Sequence, residues 1–139
     1  MAARPVYFEN AVGRIWEEPL NYLRLDYYAA PREEVAFRAL LMHALQALVR
    51  RGWGKILIDQ RKMAPYSDAE RAWMMDEWLP RAIREGGYRY GAVVLAENPF
   101  ARVSMTRLAL ASRELGNTYK TFDTENDAVD WLTQAVVVR

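Results

Sequence analysis

The sequence contains no cysteine, which excludes disulfides, thiolate nucleophiles and cysteine-based zinc sites together and suits a reducing compartment. With His43 as its only histidine, it also lacks the imidazoles for a multi-histidine metal centre. Charge of one sign is missing as well: nineteen Lys and Arg against eighteen Asp and Glu leave a net charge of +1, so no global field draws the chain to polyphosphates or anionic lipid. No apolar run approaches the ~20 residues of a membrane span, and the opening MAARPVYFENAVG has no signal-peptide core. The expectation is a cytoplasmic protein with no transmembrane segment, no cofactor and no metal. Arg50, Arg51, Lys55, Arg61 and Lys62 form a basic stretch, but it is divided among a helix end, a strand start and a loop. Without a glycine-rich phosphate loop or a stacking-aromatic motif, this argues against nucleic acid.

What is present is globular composition: 139 residues, 52% hydrophobic and 27% charged, enough for residues 1–139 to form one domain around its own core. The first thirty residues read as strands at Pro5 to Glu9, Gly13 to Glu17 and Tyr22 to Tyr28, separated by Asn10, Pro19 and Asn21. In the third, Tyr22, Arg24, Asp26 and Tyr28 alternate with Leu23, Leu25 and Tyr27, which predicts one covered face and one wetter face.

Pro31 suits a first helical position, and Val35, Phe37, Leu40, Leu41, Ala44, Leu45 and Leu48 recur at helical spacing up to Gly52. Lys55 to Asp59 is a short apolar strand. Ser67 caps a second helix and Glu70 completes a capping box, while Pro80 predicts a kink or break near Trp78–Pro80 before Gly86-Gly87. Tyr90 to Leu95 is another buried strand, Asn98-Pro99 opens a third helix ending near Leu115-Gly116, and Tyr119 to Phe122 is a last strand. A final helix, capped by Asp123 or Thr124, carries Ala128, Val129, Leu132, Ala135 and Val136. The order is βββαβαβαβα, an α/β fold with a mixed sheet of five to six strands covered by helices.

At Lys55 to Asp59, Glu77-Trp78-Leu79-Pro80-Arg81, Tyr90 to Leu95 and Phe122 to Leu132, the chain resembles the bacterial STAS-like family, related to sporulation anti-sigma-factor antagonists and to the CRAL-TRIO lipid-transfer fold. The resemblance spans roughly residues 12 to 133. It implies a STAS-like domain and a binding or regulatory role. In the partner-switching members a serine after the central strand is phosphorylated; the counterpart here is Pro65-Tyr66-Ser67-Asp68-Ala69, which keeps one serine and lacks the motif's glycine and second serine. Ser67 is thus a candidate phosphorylation site as well as a plain N-cap.

His43 falls by helical phase with Gln46 and Arg50, a rim position away from the apolar stripe. Asp59-Gln60-Arg61 follows the end of a buried strand, where open α/β sheets place ligand-binding groups. Asp59 is a candidate acid or base if burial raises its pKa; alternatively it ties down loop amides. On the second helix, steps of ~100° put Ala72, Met75, Leu79, Ala82 and Ile83 on the sheet-covering face, leaving Trp73, Met74 and Trp78 as surplus apolar bulk. The expected function is a binding or regulatory module without turnover, engaging a protein partner or a small apolar ligand, with a homodimer as one form. Tyr66, Trp73, Met74 and Trp78 would supply the contact surface and Asp59, Arg61 and Ser67 a polar rim. The alternatives are a lipid-type carrier with a cavity of ~300–1,000 Å³ and an enzyme using Asp59.

Overall fold

The computed structural model describes residues 6 to 137. Six strands form one sheet in chain order: β1 (Val6–Glu9), β2 (Gly13–Glu18), β3 (Tyr22–Tyr27), β4 (Lys55–Asp59), β5 (Tyr90–Val94) and β6 (Thr118–Phe122). The β1/β2 and β2/β3 pairs are antiparallel; β3 through β6 run parallel. The mixed α/β sheet read from the sequence is therefore present, although Pro5, assigned to the first strand, lies outside the described residues.

The helices are α1 (Glu34–Arg51), α2 (Asp68–Trp73), α3 (Leu79–Gly86), α4 (Pro99–Ser112) and α5 (Glu125–Gln134). Three parallel crossovers step the same way across the sheet, so α1, the α2–α3 segment and α4 all pack on one face around Leu23, Leu25, Ile56, Ile58 and Val93. The opposite face is covered over β4 to β6 by α5, through Ala128 and Leu132 against Leu57, Ala92 and Val94. No helix among the described residues is long and apolar enough to cross a membrane.

Helix α1 begins three residues later than Pro31 suggests, with Glu33 as its N-cap, and Val35 is 80% exposed rather than part of the stripe. The stripe proper starts at Phe37, and at about 100° per residue Val35 falls nearly opposite it. Gly52 closes the helix in the left-handed region, φ 67°, with its amide on the Leu48 carbonyl, a conformation in which a Cβ is costly. On β3, the side expected to be wetter is covered too: Tyr22 packs beneath α5 with Leu57 and Ala92, and Arg24 is buried.

The second helical segment departs most from the sequence reading. Between α2 and α3, Met74–Trp78 forms a π-helical turn, in which the Leu79 amide donates to the Met74 carbonyl five residues back. Pro80 follows at once. Its ring crowds the carbonyl four residues earlier, and a widened turn relieves that clash. A π turn holds one extra residue and so rotates everything before it by about 100° relative to everything after. Downstream, Leu79 and Ala82 are buried as expected; upstream, Ala72 is exposed and Met75 only half-buried. Met74 and Trp78 turn inward instead, and the Trp78 indole donates to the Leu41 carbonyl.

Candidate functional site

Of the four side chains expected to make a contact surface, only Trp73 reaches the surface. Tyr66, Met74 and Trp78 are buried in the chain's own core, the last two because the π turn rotates them there. Tyr66 lies against Tyr27 and Phe37, and its hydroxyl donates to Tyr27 at 3.1 Å and accepts from the Gln60 amide at 3.1 Å. Burial pushes the Tyr66 phenol up to about 12, so this hydroxyl stays protonated. Between the helices and the sheet, bounded by Tyr27, Tyr66, Trp78, Met105 and Tyr119, the free space is only about 10 Å³. That is no more than one water needs.

Trp73 stands half-buried where α1 meets α2. Its ring meets Phe37 at 6.0 Å, edge to face, and the Arg38 guanidinium lies 5.2 Å over it. Arg38 is itself held by Glu34 one turn back, at 2.7 Å. Beside the indole is an open groove of about 430 Å³, with Pro65, Ser67 and Ala69 along its other wall. Its floor is fixed by Arg32, which forks onto Glu70 at 2.7 and 2.8 Å and donates to the carbonyls of Ala64 at 3.0 Å and Pro65 at 2.7 Å. Burial alone would raise the Glu70 carboxyl, but hydrogen bonds from Arg32 and from the Ser67 amide outweigh it and hold it below its ordinary value.

Ser67 is exposed at the end of this groove and makes the full capping box: its hydroxyl accepts the Glu70 amide at 3.0 Å, and Glu70 accepts the Ser67 amide at 2.8 Å. Only Ser67 and Trp73 of the expected site residues share the groove; Asp59 and Arg61 belong to a separate cluster.

That cluster sits at the carboxyl ends of β3 and β4, on the face that α5 covers. Arg24, its side chain 10% exposed, donates to Asp26 at 2.7 Å, Asp59 at 3.1 Å and Glu125 at 2.7 Å. Arg61 forks onto Asp59 at 3.0 and 2.7 Å and reaches Glu125 at 3.3 Å, while its amide donates to the same Asp59 carboxylate at 3.1 Å. Asp26 also accepts the Trp16 indole at 2.8 Å and lies 3.5 Å from Arg14.

Three guanidinium groups thus balance three carboxylates. Burial by itself would raise the Asp59 carboxyl; the Arg61 hydrogen bonds and the Arg24 charge prevail and hold it lowered, so it stays ionised. An Asp in this state ties down the loop and is poorly suited to proton transfer. Arg24 and Asp26 stand in the sequence only as part of the alternation along β3, and their meeting with Asp59 and Glu125 has no local pattern because those contacts of Arg24 lie 35 and 101 residues apart.

His43 is half-buried and stacks on Phe8 with centroids 3.8 Å apart, a packing role at the α1/β1 rim. Among the described residues, no group of three or more His, Asp or Glu side chains is placed to hold a metal ion. No family model, curated protein or solved structure matches this chain.

Proposed function

We propose that the protein is a binding or regulatory module without turnover, and that it engages a protein partner through the groove between α1 and α2. The observation that carries this reading is the Trp73 indole, half-exposed, fixed between Phe37 and Arg38 and open to a groove of about 430 Å³. A rigid aromatic anchor rimmed by charged side chains is the usual centre of a protein contact. A STAS-like regulatory role fits the groove's position directly after the loop that follows the central strand.

A small apolar ligand or a lipid suits the fold less well. Such ligands need several hundred Å³, and the space between helices and sheet is about 10 Å³. An enzymatic role for Asp59 is disfavoured by the two arginines that keep it ionised. A phosphate on Ser67 would be received by the amides at the start of α2 while its charge repels the Glu70 carboxylate of the capping box; shifting Glu70 and its Arg32 partner would reshape the groove.

The test is a photo-crosslinking amino acid at Ala69, on the exposed wall of the groove, used in the cells that make the protein. A discrete protein adduct that disappears on Trp73→Ala supports the reading. Adducts equal to those from a crosslinker at Thr121, on the far edge strand, or unchanged by Trp73→Ala, refute it.

A further inference from the structure

The outer face of α4 plays no part in the groove, and it carries three large exposed apolar side chains, more than any other helix among the described residues: Phe100 at 76%, Val103 at 51% and Leu110 at 56%. At about 100° per residue these three fall within roughly 80° of one another, nearly opposite the face formed by Ala101, Met105, Leu108 and Ser112 that packs on the sheet. The helix therefore has two apolar stripes, and the fold uses one. Spacings of three and seven residues are those by which a partner helix reads its target.

Within the helix the charge has one sign: Arg107 lies in the stripe, Arg102 lies along one flank, and Pro99–Ser112 contains no Asp or Glu, while Arg113 and the exposed Glu114 follow its end. Arg102 is exposed and bonds the Ala96 carbonyl through Nε at 2.7 Å. Apolar surface of this extent loses ~25 cal/mol per Å² by staying wet, and the guanidinium groups repel a second copy of the same face.

We infer that the α4 surface of Phe100, Val103 and Leu110 docks an amphipathic helix of another protein, whose apolar ridge covers these side chains and whose carboxylates meet Arg102, Arg107 and Arg113. The partner is distinct from whatever the Trp73 groove takes, so the chain has two contact surfaces on one sheet face. Arg–carboxylate forks give the complex its register, and apolar burial gives most of its strength.

A fluorescent synthetic helix with a leucine stripe flanked by glutamates is the probe, and the same peptide with lysines in place of the glutamates is its control. The intact protein binds the glutamate peptide and not the lysine peptide, with affinity falling as salt rises. Phe100→Ser/Leu110→Ser weakens binding about ten-fold or more while circular dichroism is unchanged, because both side chains already face water. Arg107→Glu/Arg113→Glu reverses the preference to the lysine peptide, a gain that misfolding cannot mimic. Equal binding of both peptides, or binding untouched by Phe100→Ser/Leu110→Ser, overturns the inference. So does a dimer in sedimentation that this double substitution dissolves, which would make a second copy the occupant.

Discussion

The Leu79 amide bonds to the Met74 carbonyl five residues back, immediately before Pro80, and this one bond decides which aromatic side chains the second helical segment hides. Because the π turn holds one residue more than an α turn, removing one should restore an ordinary turn and keep both flanks in phase. Asp76 is the exposed residue to remove. Since an ordinary turn would bring back the Pro80 clash, the deletion is combined with Pro80→Ala; the double variant is expected to fold with a loss of about 1 kcal/mol or less, whereas Trp78→Ala loses about 3–5 kcal/mol. Urea denaturation compares them; a double variant as damaged as Trp78→Ala would show that the extra residue is not a phase correction.

This turn also marks where the sequence stopped being legible. Strand and helix order, the Gly52 terminus and the Ser67, Asn98 and Thr124 caps were readable because capping and periodicity are local properties of a few adjacent residues. Pro80 announced an interruption but not its kind: a kink would leave Trp78 outside, and a widened turn brings it in. The polar cluster was half legible. Asp59 and Arg61 stand together at a strand end, while Arg24 and Glu125 join them only through the sheet register and the placement of α5.

Gly91 is the second residue of β5, where a strand gains little from glycine, and its reason is contact. A Cβ there would stand 2.4 Å from two ring carbons of Tyr119 and 2.5 Å from the Tyr88 hydroxyl. Gly91→Ala is expected to cost about 1–3 kcal/mol through overpacking. Combining it with Tyr119→Ala should recover part of that loss, since the second change removes the ring the methyl strikes. Strict additivity of the two losses would mean that the methyl is accommodated elsewhere.

Ser67 allows its capping role to be separated from a phosphate switch. Ser67→Ala removes the acceptor for the Glu70 amide and should lower stability by about 1 kcal/mol, while Ser67→Asp keeps a good N-cap and should stay near the parent. If both variants retain the Ala69 crosslink described above and differ only in denaturation midpoint, Ser67 is a cap. If Ser67→Asp alone loses the crosslink, charge at that position controls the groove.

Arg24 gives the sharpest electrostatic test, because three carboxylates converge on one buried guanidinium. Hydrogen bonding from Arg24 is the main reason the Glu125 carboxyl lies below its ordinary value, and Asp59 is lowered through Arg61 and Arg24 against its burial. Depressed folded-state values mean that the stabilisation is present above the unfolded pKa of about 4 and is lost as pH falls through the folded values. Arg24→Met leaves the carboxylates crowded around an apolar side chain, at a cost of about 3–5 kcal/mol near neutral pH. With the cation gone, crowding raises those carboxyls, so protonation relieves the variant as pH falls. The stability gap to the parent, measured by urea denaturation from neutral pH down to about 4, should therefore narrow steadily on acidification. A gap constant across that range would assign the loss to missing packing by the Arg24 stem, and would leave the convergence of charges at the end of β3 without energetic consequence.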